Sequence, residues 1–255
     1  MSNAANCTLS RVCKLAGTDQ CTRLCPSYIA MNGHSGNGGR VGAAGIPAEY
    51  RKVTLANSPA REEQAEAYRL LSESYAPTFS RQFEPDGERI KSLYLFSREP
   101  GTGKTTTAAA LLNEWLVVHY VGSVQRGKRP LERPAYFLDV NEWQELYNTF
   151  NRKHVPDDVA VPASREYYRR MKHAKAAPFV VMDDVGVRDC TDGFRGDLHA
   201  VINHRVANGM ITVYTSNVTI EELKRVFDDK KRLADRVRDM CLVISFMGES
   251  KRGIR

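Results

Sequence analysis

The sequence predicts an α/β protein built on a parallel sheet, and three observations carry that prediction. Short β-rich apolar runs alternate with helical stretches from Ser92 onward. The first run leads straight into Glu99-Pro100-Gly101-Thr102-Gly103-Lys104-Thr105-Thr106, a phosphate-binding loop that opens an Ala/Leu-rich helix. The third run, Phe179-Val180-Val181-Met182, is continuously apolar, as a strand buried on both faces must be, and ends in Asp183-Asp184.

The predicted strands are Ser92–Phe96, Ala135–Val140, Phe179–Met182, Ile211–Thr215 and Leu242–Phe246. Helices are predicted between and after them over Thr105–Tyr120, Glu142–Arg152, Ser164–Lys175, Phe194–Asn208 and Ile220–Arg238. A strand, a crossover helix and a further strand imply right-handed parallel connections. Val121 to Pro134 reads as a basic loop. Ahead of the sheet, Arg61 to Tyr75 has helical spacing, with Ala65, Tyr68, Leu70 and Leu71 apolar among charged positions. Asn32 to Gly45 is rich in Gly, Asn and Ser and reads as a flexible joint.

With 255 residues, 42% hydrophobic and 26% charged, the chain can bury one sizeable core and is neither disordered nor membrane-spanning in composition. No apolar run is long enough to span a bilayer, and Met1 to Thr8 is polar, so the expected location is the cytoplasm. A net charge of +7 favours an anionic partner such as nucleic acid.

The loop specifies its chemistry. Gly101 and Gly103 let backbone N–H groups turn inward around phosphate oxygens at a helix N-terminus. Lys104 reaches the β- and γ-phosphates, and the Thr105 hydroxyl can join the shell of Mg²⁺. Arg98 stands where the pattern has its first glycine. Asp183 is the expected Mg²⁺ support, commonly through water, and Asp184 the group that orients the attacking water. The fourth strand ends in Tyr214-Thr215-Ser216-Asn217, which places an amide where it can donate to a γ-phosphate.

These motifs, with Arg232-Leu233-Ala234-Asp235-Arg236 and Ile244-Ser245-Phe246-Met247-Gly248-Glu249-Ser250, resemble the AAA+ ATPases of the DnaC/DnaI-type replicative-helicase loaders. The likeness runs from Ile46-Pro47-Ala48-Glu49-Tyr50-Arg51 to the C-terminus. It implies a P-loop AAA+ (ASCE) core with a five-stranded parallel sheet in the order 5-1-4-3-2. The chain ends soon after the fifth strand, so the same likeness implies no C-terminal helical lid. It implies ATP and Mg²⁺ as ligands and an ATP-dependent oligomer. Its implied partners are single-stranded DNA and a replicative hexameric helicase. Asn217 falls on the sensor-1 position and Arg236 on the arginine-finger position, completing a neighbour's site in trans, with Arg232 the lesser candidate. An IstB-type transposition-helper ATPase shares this core, and an ATP-gated DNA-binding switch with little turnover is a further alternative.

Cys7, Cys13, Cys21 and Cys25 crowd the N-terminus, while Cys190 and Cys241 stand apart and read as structural. Cys13, Cys21, Cys25 and His34 supply a tetrahedral Zn²⁺ set, with Cys7 able to replace His34 or Cys13. The expected organisation is a zinc-binding, helicase-docking module over 1–45, a linker and helix over 46–90, and the ATPase core over 91–255. Arg165, Arg169, Arg170, Lys172 and Lys175 interleave with Tyr167 and Tyr168. They form either a single-strand-binding surface or an amphipathic helix with Tyr167, Tyr168 and Met171 in the core. The loop with Arg126, Lys128, Arg129 and Arg133 is a second candidate for nucleic acid.

Overall fold

Every apolar run read from the sequence forms a strand: Ser92–Phe96 (β1), Ala135–Asp139 (β2), Phe179–Asp183 (β3), Ile211–Ser216 (β4) and Cys241–Ser245 (β5). The computed structural model describes residues 2–84, 86–223 and 231–248. The sheet order is β2-β3-β4-β1-β5, the order the family resemblance implied. β1 runs parallel to β4 with Leu93 opposite Val213, and parallel to β5 with Leu93 opposite Leu242. β3 runs parallel to β4 with Val181 opposite Val213. β3 and β4 are buried along their whole length, which is why they carry no alternation of polar residues. In this register the carboxyl ends of β1, β3 and β4 meet at one edge, where open α/β sheets bind ligands.

The helices are Pro26–Asn32 (α1), Gly39–Ala43 (α2), Ala65–Leu70 (α3), Lys104–Gln125 (α4), Val140–Asn151 (α5), Asp157–Ala176 (α6), Asp192–Ala207 (α7) and Lys231–Met240 (α8). Three departures from the sequence reading have local causes. α4 runs past Tyr120 into the predicted basic loop and stops only at Gly127, whose φ of +64° suits a helix end. There the Gly127 and Lys128 N–H groups bond back to Val124 and Ser123. α6 begins at Asp157 rather than Ser164, with two acids in its first turn. It accommodates Pro162 inside the helix at the cost of one backbone bond. The helix expected over Ile220–Arg238 includes 224–230, which lie outside the described residues; residues 220–222 form a turn and Lys231–Met240 is helical.

Two compact units divide the chain: Met1–Ile90 with Ala109–Tyr136, and Lys91–Ala108 with Phe137–Arg255. In the first, Phe79 packs edge-on against Trp115 at 5.2 Å and against Tyr75 at 5.4 Å. The Trp115 indole N–H donates to Pro134 O (3.0 Å). Asn113 Nδ2 donates to the carbonyls of Tyr50 and Val53, and Arg11 grips both oxygens of Glu114. The Gly-rich stretch expected to be a joint is packed rather than free. Val41 and Ala44 are buried, and Arg40 donates to the carbonyls of Ala30, Pro130 and Leu131 while lying over the Tyr120 ring.

In the second unit, Arg205 is fully buried. Its guanidinium donates to Thr212 Oγ1 (2.8 Å), Ala174 O (2.7 Å), Ala177 O (2.8 Å) and Ile211 O (2.6 Å). Burial pulls its pKa down to about 10, so it stays protonated at neutral pH. Trp143, Tyr167 and Phe194, from α5, α6 and α7, form an aromatic cluster, with Trp143 stacked on Tyr167 at 4.9 Å. Among the described residues no helix is long and apolar enough to cross a membrane.

Gly122 lies inside α4 because the Phe83 ring occupies the place of a Cβ. Alanine is the better helix former by about 1 kcal/mol. Gly122→Ala should nonetheless destabilise the protein by about 1–3 kcal/mol through overpacking, read as a lower denaturant midpoint. Adding Phe83→Leu should return part of the loss. A higher midpoint for Gly122→Ala would contradict this packing.

Candidate functional site

The phosphate loop leaves β1 at Phe96 and enters α4 at Lys104. Gly101 and Gly103 have φ of +76° and +95°, conformations that side chains disfavour. Arg98 is not among the positive-φ residues, so the missing first glycine is not needed for the chain's path. Lys104 is almost fully buried, and its ammonium donates to Glu99 O (3.1 Å) and Ser97 O (3.4 Å). A cation held by two carbonyls of its own loop is positioned to serve a ligand bound in that loop.

Asp183, at the end of β3, sits between two hydroxyls. Thr105 Oγ1 donates to its Oδ2 (3.1 Å) and Thr215 Oγ1 to its Oδ1 (2.6 Å). The Thr215 oxygen in turn accepts from the Asp184 N–H (2.9 Å). Burial, and next the neighbouring Asp184, push the Asp183 carboxyl up to about 7, while the two hydroxyls act in the opposite direction. A divalent cation beside it would offset that cost. The Thr105 hydroxyl and the Asp183 carboxylate are adjacent hard oxygen donors, so these residues fit Mg²⁺.

Asp184 adopts the left-handed conformation, φ +59°, and its Oδ2 accepts from Asn141 Nδ2 (3.4 Å). Strain of that kind collects where a side chain must be aimed rather than where a chain merely turns. Asn217 donates from Nδ2 to Ser97 O (2.9 Å) and Arg98 O (3.0 Å), so the end of β4 is tied to the start of the phosphate loop. The structure thus brings together Lys104, Thr105, Asp183, Asp184 and Asn217. It adds Thr215 and Asn141, which the sequence reading missed. Nothing local in the sequence marks them, because only the β3–β4 register puts Thr215 beside Asp183.

Arg236 stands apart from this cluster. It is exposed on α8 and donates to Asn203 Oδ1 (3.0 Å). The side chain of Arg232 lies outside what the structure describes.

The basic segments are largely committed. Arg169 holds both oxygens of Glu166, and Arg170 bonds Glu166 and Glu142. These hydrogen bonds, Arg169 first, draw the Glu166 carboxyl down to about 2. Tyr167 is buried in the aromatic cluster and its OH donates to Asp197 (2.6 Å). Tyr168, by contrast, is 55% exposed and borders an open groove with Met171, Lys172, Lys175 and His204. In the other basic segment, Arg126 lies over the Phe83 ring and Arg133 donates to Ala43 O, so both serve packing.

All six cysteines are free thiols, and the four at the N-terminus, Cys7, Cys13, Cys21 and Cys25, line one small cavity. His34 is exposed and does not line it. Burial raises the Cys7 pKa, whereas hydrogen bonds, from Ser2 first, lower that of Cys21. Four sulfur donors suit Zn²⁺ chemically. Among the described residues, however, no three His, Cys, Asp or Glu side chains are grouped so as to hold an ion.

Comparison with known proteins bears on this geometry. The model of the IstB-like ATP binding protein family matches residues 162–254. The replicative helicase loader DnaI of Bacillus subtilis (strain 168) is 23% identical over 195 residues, covering 72% of this chain and 54% of its own length. The chain therefore spans about half of that relative. Among solved structures, the DnaC helicase loader superposes with a TM-score of 0.53 at 20% identity, covering 79% of this chain and all of its own. The DnaI crystal structure gives 0.52 at 21% identity, covering 79% and 95%. The chain thus shares the fold of these two helicase-loader structures and is similar to the IstB-like ATP binding protein family over residues 162–254. The phosphate loop, Asp183 and Asn217 lie at the carboxyl edge of the sheet.

Thr215→Val keeps the shape of β4 but removes the hydroxyl that orients Asp183. Loss of such an orienting partner is expected to weaken Mg²⁺-dependent nucleotide binding about tenfold. A Mg²⁺ titration of nucleotide binding reads this, and an unchanged half-saturation would show that Thr215 does not orient the carboxylate.

Proposed function

We propose that this protein is an ATP-dependent loader of a replicative DNA helicase onto single-stranded DNA. The observation that carries the reading is the meeting of Lys104, Thr105, Asp183, Asp184 and Asn217 at one sheet edge in a chain similar to DnaI. ATP binds with its phosphates against the N–H groups of residues 99–106, and Lys104 neutralises the β- and γ-phosphates. Thr105 and Asp183 would hold Mg²⁺, which when bound would neutralise charge on the phosphate oxygens. Asp184 orients the attacking water, and Asn217 donates to the γ-phosphate by exchanging one of its two loop-carbonyl bonds. Arg236, exposed on α8, completes the site of a neighbouring copy in an ATP-dependent oligomer.

Single-stranded DNA is the expected nucleic-acid partner. Tyr168, Lys172 and Lys175 are better placed to meet it than Arg169 and Arg170, which are held by glutamates. Residues 1–45 are the proposed helicase-docking module, 46–90 the connecting segment and 91–255 the ATPase core. If Zn²⁺ is held there, the four cavity thiols are its donors, Cys7 standing in place of His34. No step of the proposed cycle runs through it.

Steady-state ATP turnover with single-stranded DNA tests the central claim. Asp184→Asn should bind ATP with near-normal affinity and lose turnover about 100-fold or more. Absence of turnover in both proteins would favour an ATP-gated switch instead. Retention of a transposase rather than a replicative helicase on the immobilised protein would favour the IstB-type reading. Metal analysis is expected to find Zn²⁺ that a chelator removes, with Cys7, Cys13, Cys21 and Cys25 then becoming reactive towards a thiol reagent. Metal-free protein with unchanged thiol reactivity would dismiss zinc.

A further inference from the structure

Residue 98 occupies the first-glycine position of the phosphate-loop pattern, yet its backbone does not use a glycine's freedom. What Arg98 adds is a second attachment to the segment that follows β4. Its carbonyl accepts from Asn217 Nδ2 (3.0 Å), and its guanidinium pairs with Glu222 (3.2 Å). Glu222 is bound back into the same segment. Its Oε2 accepts from the Thr219 N–H (2.8 Å), and its own N–H donates to Thr219 Oγ1 (3.3 Å). That reciprocal pattern has the hydrogen bonding of a capping box. The Glu222 carboxyl is held below its ordinary range by the Thr219 N–H and next by Arg98. One loop residue therefore secures residues 217 to 222 at both ends. A glycine would keep the first link and lose the second.

We propose that Arg98 is a positioning residue for Asn217: through Glu222 it fixes the Asn217 amide against the phosphate loop and so sets the preference for ATP over ADP. The inference rests on the reading of this edge as an ATP site. Its reach is bounded by exposure. The Arg98 side chain is 65% and that of Glu222 31% exposed, and a pair of that kind changes an equilibrium by at most about fivefold.

The test is a set of dissociation constants for ATP and ADP, measured with Mg²⁺ by displacement of a fluorescent nucleotide from the full chain. Asn217→Ala defines the complete loss of preference. Arg98→Gly, which restores the motif glycine, should lower the ATP-to-ADP preference roughly three- to fivefold and leave ADP affinity unchanged. Glu222→Gln keeps an acceptor for the Thr219 N–H and should give the same loss. Combining the two should add nothing, because they break one interaction.

Wild-type preference in Arg98→Gly would overturn the proposal, as would equal weakening of both nucleotides, which marks a general loop role. A wild-type protein that binds ATP and ADP equally would also overturn it, since Asn217 then senses no γ-phosphate. A wild-type protein that binds neither nucleotide would instead refute the ATP site itself.

Discussion

The carboxylate of Asp183, bonded on one side by Thr105 and on the other by Thr215, is the contact on which the site depends. Its three participants come from the first turn of α4, the end of β3 and the end of β4. They meet only because β4 is inserted between β3 and β1 in a parallel register. A one-residue slip of β4 would turn Thr215 to the opposite face of the sheet. The same hydroxyl also fixes the Asp184 backbone, so the two acids are aimed by one threonine. The cost of burying Asp183 is the counterpart of its readiness for a cation: an acid comfortable in its own surroundings would gain little from a metal ion.

Much of this edge was legible in the sequence, for a physical reason. Lys104, Thr105, Asp183, Asp184 and Asn217 each sit within a short motif whose spacing is tied to a strand end. A motif of that kind can be read without knowing what packs against it. Thr215 and Asn141 could not be read so, since their importance comes from strand register and from a residue far off in sequence. The strands were clearer than the helices. Continuous apolar runs have sharp ends, whereas α4 and α6 continue through a glycine and a proline that ordinarily stop helices.

Charge was the least reliable guide. Arg169 and Arg170 look like a nucleic-acid surface in one dimension, but Glu166 and Glu142 lie one helical turn away or on the next helix and take up their donors. Arg40, Arg126 and Arg133 similarly spend their cations on carbonyls and rings. A net charge of +7 records the excess of cations over acids but not which cations an anion can reach. The cysteines show the converse. Sequence spacing left four thiols and a histidine as alternatives, and folding collects the four thiols around one cavity while His34 faces outward.

The buried guanidinium of Arg205 has a consequence for how this sheet comes apart. Its donors are shared among the end of α6, the segment leading into β3 and the start of β4, while the side chain itself belongs to α7. No one of these elements can leave without stranding a charge among unsatisfied carbonyls. Fraying strand by strand is thereby penalised, and this end of the sheet is bound to open cooperatively, as a single unit.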